Sequence, residues 1–141
     1  METVAEAVAA SPLFDGPVRE EWARRFLDQP GHHMLLAHAG ERPVGMVSGM
    51  ELTHPDKGTE MVLYELSVDE DHRRRGIGRE LVGGLLAIAR ERGCYGMWVA
   101  VDTDNDPALA TYAAAGGARE ADAAMIVWSL DGTAGPAGPA A

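Results

Sequence analysis

Cysteine is almost absent from this chain: Cys94 stands alone among 141 residues. A single thiol excludes an internal disulfide framework and a cysteine-rich zinc site, and it suits a reducing compartment. Basic residues are scarce too, 12 against 22 acidic ones, for a formal net charge of −10. Sequence-independent binding to nucleic acid or to an anionic membrane needs a positive field, so neither is expected as a partner. Cationic partners are favoured instead. No apolar run approaches the roughly 20 residues of a membrane span. The opening METVAEAVAA carries acids where a secretory leader needs positive charge. The expectation is a cytoplasmic domain. There is no repeat at solenoid periods, and His32, His33, His38, His54 and His72 show no metal-ligand spacing, so no metal site is expected.

What is present suffices for one core. With 46% hydrophobic and 24% charged residues, residues 1–131 read as a single domain, and the small, Pro/Gly-rich 132–141 as a disordered tail. A helix is expected over Glu2 to Ala10, closed by Ser11-Pro12. A second should open at Pro17 and share Val18, Trp22 and Phe26 on one face, ending at Pro30-Gly31, with His32-His33 in a turn. Met34–His38 and Val44–Leu52 form a hairpin about Gly40–Pro43, and Met61–Val68 is a third strand after a turn at His54–Gly58. A helix with Leu81, Leu85 and Ile88 on one face then ends at Gly93. Tyr95–Val101 reads as a fourth strand, Pro107 opens a helix ending at Gly116-Gly117, and Ala124–Leu130 is a closing strand. A hairpin meander followed by alternating strands and helices is a mixed α/β pattern.

Between the third strand and its helix lies Arg73-Arg74-Arg75-Gly76-Ile77-Gly78-Arg79. Glycines let the backbone turn tightly and bring N–H groups close to a ligand. The helix N-terminus adds free donors and partial positive charge. Four arginines complete an anion cradle in an otherwise acidic chain, and a diphosphate is its natural occupant. No Gly-Lys-Ser/Thr follows, which disfavours a P-loop; a plain strand-to-helix turn with a solvated basic cluster stays open.

Arg73-x-x-Gly76-x-Gly78 after Val68, followed by an amphipathic helix, resembles motif A of the GCN5-related N-acetyltransferase (GNAT) superfamily. Asn105-x-x-Ala108-x-x-x-Tyr112-x-x-x-Gly116 looks like its motif B, and the resemblance covers about Met34 to Leu130. More closely, LYELSVDEDHRRRGIG and DNDPALATYAAAGG are similar to segments of the type I aminoglycoside 3-N-acetyltransferases. The resemblance implies a mostly antiparallel sheet whose fourth and fifth strands splay apart around acetyl-CoA. It implies that the diphosphate meets the backbone of Arg74, Arg75, Gly76, Ile77, Gly78 and Arg79, and that the pantetheine arm pairs with Leu66 and Val68. Asn105 would hydrogen-bond that arm, and Tyr112 would lie near the thioester sulfur. The chain departs from the pattern in lacking an apolar strand before its first helix, in Gly117 where many relatives place Phe, and in Ala100 where some N-terminal-amine acetyltransferases carry Glu. Many proteins of this fold form a homodimer; the sequence does not fix the state here.

Acetyl transfer to an amine needs a neutral amine, a place for the oxyanion and a proton for the departing thiolate. Glu65 is the first candidate base, a carboxylate inside the apolar strand VLYELSV, where it costs free energy unless paired; a bulge turning it to solvent is the bland alternative. Asp102 is the second, to orient the base or grip an ammonium, against a simple helix-capping role. Tyr112 is a proton donor on the family pattern and a core aromatic on helical spacing alone. Asp104, with Asp102, Glu120 and Asp122, could rim the acceptor cleft, as could Asp15, Glu20 and Glu21. Asp104 and Asp106 also suit capping and turn positions. The expected enzyme is an acetyl-CoA-dependent N-acetyltransferase acting on a small polycationic amine, with an aminoglycoside 3-amino group leading. The alternatives are a protein N-terminus, a polyamine or another metabolite amine, or a non-catalytic acyl-CoA-binding module.

Overall fold

The structure, a computed structural model, describes residues 1–132. Its elements are α1 (Val4–Ala9), α2 (Glu20–Asp28), β1 (His32–Ala39), β2 (Arg42–His54), β3 (Gly58–Val68), α3 (Ile77–Glu91), β4 (Met97–Trp98) and α4 (Asp106–Ala114), with single 3₁₀ turns at Ser11–Leu13 and Glu70–His72. The chain divides into two compact units, Met1–Val99 and the part from Ala100 onward. No helix among the described residues is long and apolar enough to cross a membrane.

In the first unit a four-stranded sheet runs β1-β2-β3-β4, antiparallel except for the parallel pair β3/β4. This is the expected mixed α/β architecture, with no strand before α1. One face of the sheet is covered by α3. Leu81, Leu85 and Ala89 are buried along that helix, and β2 meets it without side chains in the way: a Cβ on Gly49 would lie 2.8 Å from Leu85 Cδ2. Two glycines on one strand thus read as permission for a helix to come close. The opposite face is roofed by the N-terminal segment, where Ala10 and Leu13 bury Met46. A capping box between Thr3 and Glu6 starts α1.

Local pattern and actual placement part company in several places. The second helix starts at Glu20, with Arg19 as its cap, so Pro17 and Val18 precede it. Trp22 is about half exposed and lies under the guanidinium groups of Arg19 and Arg25, a cationic cover in place of a core face. His32 and His33 open β1, because Gly31 C=O already accepts from Glu51 N–H at 2.9 Å and brings the chain into the sheet there. The fourth strand is Met97–Trp98 and not Tyr95–Val101. Its ladder is held at the start by Tyr95 N–H to Thr59 C=O and Met61 N–H to Gly96 C=O, and it pairs only as far as Val62↔Trp98.

In the second unit α4 forms where Pro107 predicts it. The expected closing strand Ala124–Leu130 does not form: the segment has no regular structure, and Trp128 and Leu130 are 76% and 94% exposed. An apolar run makes a strand only when another strand accepts its hydrogen bonds. The expected tail falls, from residue 133 on, outside the described residues.

Candidate functional site

The C-terminal end of β3 is the place where backbone, cations and a carboxylate meet. Asp69 N–H bonds Val44 C=O at 2.7 Å, and Val68 lies opposite Gly45 in the register. Antiparallel pairing alternates, so Val68, and Leu66 opposite Val47, turn their N–H and C=O groups away from β2. On that other edge β4 pairs no farther along β3 than Val62. The two residues singled out for the pantetheine arm therefore turn backbone polar groups toward an edge that no strand occupies among the described residues. Arg73 Nε donates to Val68 C=O at 3.1 Å, which marks the direction that carbonyl takes.

The arginine loop follows directly. Gly76 has φ +80° and caps the N-terminus of α3 in the left-handed region. Arg74, at φ 64°, is the one non-glycine residue with positive φ among those described. Left-handed backbone at Arg74 and Gly76, with Arg75 between them, turns N–H groups toward a shared concavity, and the free N–H groups of Ile77, Gly78 and Arg79 at the start of α3 extend it. Arg73, Arg74, Arg75 and Arg79 are exposed and none forms an ion pair among the described residues. The residues present fit a diphosphate.

A brace that the sequence reading missed holds the loop. Asp69 accepts from Arg42 Nη1 at 3.0 Å and from His72 Nδ1 at 3.1 Å. Burial pushes the Asp69 carboxyl up, but Arg42 and His72 outweigh it and keep the group below its ordinary value. The pairing joins residues 27 apart in the chain, so local spacing contains no sign of it.

Glu65 is half-buried, and its position depends on a bulge. Ser48 pairs with Glu65 but Gly49 pairs with Leu63, leaving Tyr64 as the extra residue. Such a bulge re-aims the side chains around it. Ser48, the buried polar residue of the core, receives the Glu65 N–H on its hydroxyl at 3.2 Å. Burial raises the Glu65 carboxyl, and the Asp15 carboxylate raises it further. Asp15, distant in sequence, is thus brought into the field of Glu65. Glu20 and Glu21 open α2, where Glu21 lies 3.9 Å from Arg25.

In the second unit Asn105 is the N-cap of α4: its Oδ1 accepts from Ala108 N–H at 3.3 Å, while Asp102 C=O accepts from Asn105 N–H. Asp102 and Asp104 are exposed in this loop, and Asp106 is the first residue of the helix. Tyr112 is half-buried on α4, and burial raises its phenol above the usual value. Its carbonyl accepts from Gly117 N–H at 2.9 Å, and a Cβ on Gly117 would lie 3.1 Å from that oxygen. The helix is stopped by Gly116 at φ +95°, and the tight approach of Tyr112 C=O at Gly117 disfavours a side chain where relatives place Phe. Glu120 and Asp122 are exposed in a segment without regular structure.

Comparison with known proteins bears on the family and the fold. The model of the acetyltransferase (GNAT) family matches residues 3–116. Human N-acetyltransferase 8 is 29% identical over 107 residues, 75% of this chain and 47% of that protein, so the chain spans about half the length of the curated relatives it matches. An aminoglycoside acetyltransferase, HMB0005, from an uncultured soil metagenomic sample superposes with a TM-score of 0.73 at 28% identity, over 89% of this chain and 91% of that one. A second soil-metagenome aminoglycoside acetyltransferase, meta-AAC0020, solved in complex with sisomicin, has a TM-score of 0.82 at 20% identity, covering 91% and 90%, a likeness of fold.

Proposed function

Because this chain belongs to the acetyltransferase (GNAT) family, whose members use acetyl-CoA as donor, we propose that it transfers the acetyl group to an amine of a small polycationic acceptor, the 3-amino group of an aminoglycoside first. The observation that carries the reading is the end of β3. An open strand edge, a positive-φ glycine cradle with exposed arginines, and a carboxylate whose affinity for protons is raised all lie within a dozen residues.

The donor supplies a thioester. Leu66 and Val68 would hold its pantetheine arm, and Gly76, Gly78 and the arginines its diphosphate. Glu65 takes a proton from the acceptor ammonium, directly or through water, and its raised pKa suits it to that exchange. The freed amine forms a C–N bond with the acyl carbon, and the C–S bond breaks. Tyr112 would give its proton to the departing thiolate and regain one, through water, from the newly acylated nitrogen; a phenol whose pKa is raised keeps its proton until then. Asn105 and Ala108 are assigned to the donor, and Asp102, Asp104, Glu120 and Asp122 to the acceptor cations. Carboxylates suit an acceptor rich in ammonium groups, since charge-assisted hydrogen bonds are its main source of affinity.

The test is CoA release with a panel of aminoglycosides, polyamines, amino-acid amides and peptide N-termini, with mass spectrometry of the products. Gentamicin- or fortimicin-type compounds acetylated at the 3-amino group are the expected result. Unmodified aminoglycosides beside rapid acetylation of a peptide N-terminus would overturn the acceptor assignment. Acetyl-CoA binding without turnover on any amine would leave only an acyl-CoA-binding module.

A further inference from the structure

Eight residues before Val68, roughly 26 Å back along β3, a second carboxylate has opposite surroundings. Glu60 accepts three hydrogen bonds from three separate segments: from His54 at the end of β2, from the Tyr95 hydroxyl after α3, and from the Trp98 indole N–H in β4. Its side chain is 14% exposed, covered by these rings. No arginine or lysine pairs with it among the described residues. Tyr95, His54 and Trp98 hold Glu60 below the ordinary carboxylate value, so it stays ionised. Tyr95 is pushed up to about 12 by the same bond, so it stays a neutral phenol. The cluster thus holds an ionised carboxylate with no arginine or lysine beside it among the described residues.

The covering rings do not close over one another. Tyr95 and Trp98 are 55% and 50% exposed, and His54 lies 6.2 Å from Tyr95, centroid to centroid. A ring whose O–H or N–H donates to a carboxylate gains electron density on its faces, which are the parts that attract a cation. The carboxylate itself is already engaged by three donors. A primary ammonium, which must replace its water with several hydrogen bonds, finds few acceptors here. A quaternary ammonium or a guanidinium, more weakly hydrated, needs ring faces and a nearby charge.

We propose that Glu60, Tyr95, Trp98 and His54 form a recognition site for a weakly hydrated organic cation, quaternary ammonium or guanidinium, distinct from the arginine loop and from Glu65. Three donors from β2, the α3–β4 connection and β4 fix the rings, so the site is built by the fold and not by one flexible side chain.

The experiment follows the Trp98 indole N–H resonance of the full chain, assigned by its loss in Trp98→Phe. Choline chloride and N-acetylarginine amide are titrated separately, against sodium chloride at equal ionic strength and the neutral isostere 3,3-dimethyl-1-butanol. A saturable shift at about millimolar cation, absent with sodium and with the alcohol, is expected. Glu60→Gln should weaken it at least about fivefold. Tighter binding of choline identifies a free small cation as the source; tighter binding of the arginine amide identifies a side chain of another protein. Equal response to the neutral alcohol, an unchanged titration in folded Glu60→Gln, or no saturation with either cation overturns the site. If Glu60→Gln does not fold, Trp98→Leu read on the Tyr95 ring protons replaces it, and unchanged affinity there is equally decisive against it.

Discussion

Glu65 and Glu60 lie five residues apart on one strand, and their surroundings drive them in opposite directions. Glu65 is half-buried, no donor reaches its carboxylate among the described residues, and Asp15 adds like charge, so its hold on a proton is strengthened. Glu60 is ringed by donors and holds a proton weakly. Burial alone does not decide such matters; what decides is whether the buried oxygens are given hydrogens to accept. One strand thus carries a carboxylate fit for exchanging protons and another fit for staying charged.

The sharpest way to break the comparison is to remove the charge at Glu65. Glu65→Gln should lower turnover by about 10²–10⁴-fold and flatten the acidic limb of the rate–pH profile; near-normal turnover with an unchanged profile would move the base elsewhere, Asp102 first. Tyr112→Phe should lower turnover toward the smaller end of that general acid–base range, with acetyl-CoA affinity unchanged by calorimetry. Gly76→Val forces a β-branched residue to φ +80° and should weaken acetyl-CoA at least about tenfold, roughly 1.4 kcal/mol, in a protein whose circular dichroism shows it folded.

A smaller effect sharpens the contrast by sign. The folded-state pKa of Glu65 lies above the ordinary 4.5, so its contribution to stability is fully present below 4.5 and is lost as pH rises through the raised value. Glu65→Gln should therefore unfold at higher urea than the parent at neutral pH. The folded-state pKa of Glu60 lies below 4.5, so its contribution is present above 4.5 and is lost as pH falls through the depressed value. Glu60→Gln should be the less stable protein at neutral pH and converge on the parent in acid. Urea midpoints moving in the same direction for the two variants would remove the distinction.

The elements legible in the sequence are those whose determinants are local. The β2–β3 hairpin follows from its turn at His54–Gly58, and α3 from leucines at helical spacing between Gly76 and Gly93. Where the outcome depends on a distant partner, the sequence misleads. Ala124–Leu130 has strand composition but no regular structure, and Tyr95–Val101 is cut short after Trp98. The site divides in the same way. Arg73 to Gly78 and Glu65 stand out because their residue types are improbable at those places. The Ser48 bulge, the Asp69 brace and the Glu60 ring each join segments with no shared local pattern, and only folding brings them together.

The bond from Arg73 to Val68 has a consequence beyond ligand binding. An unpaired strand edge is a template on which any extended chain, including another copy of this one, can add itself. Arg73 occupies the Val68 carbonyl at that edge, and the neighbouring arginines surround it with charge. Removing the guanidinium with Arg73→Ala exposes the edge, so the variant should aggregate faster than the parent under light scattering at equal concentration. The same arginine that opens the basic loop thereby guards against self-association along the strand edge.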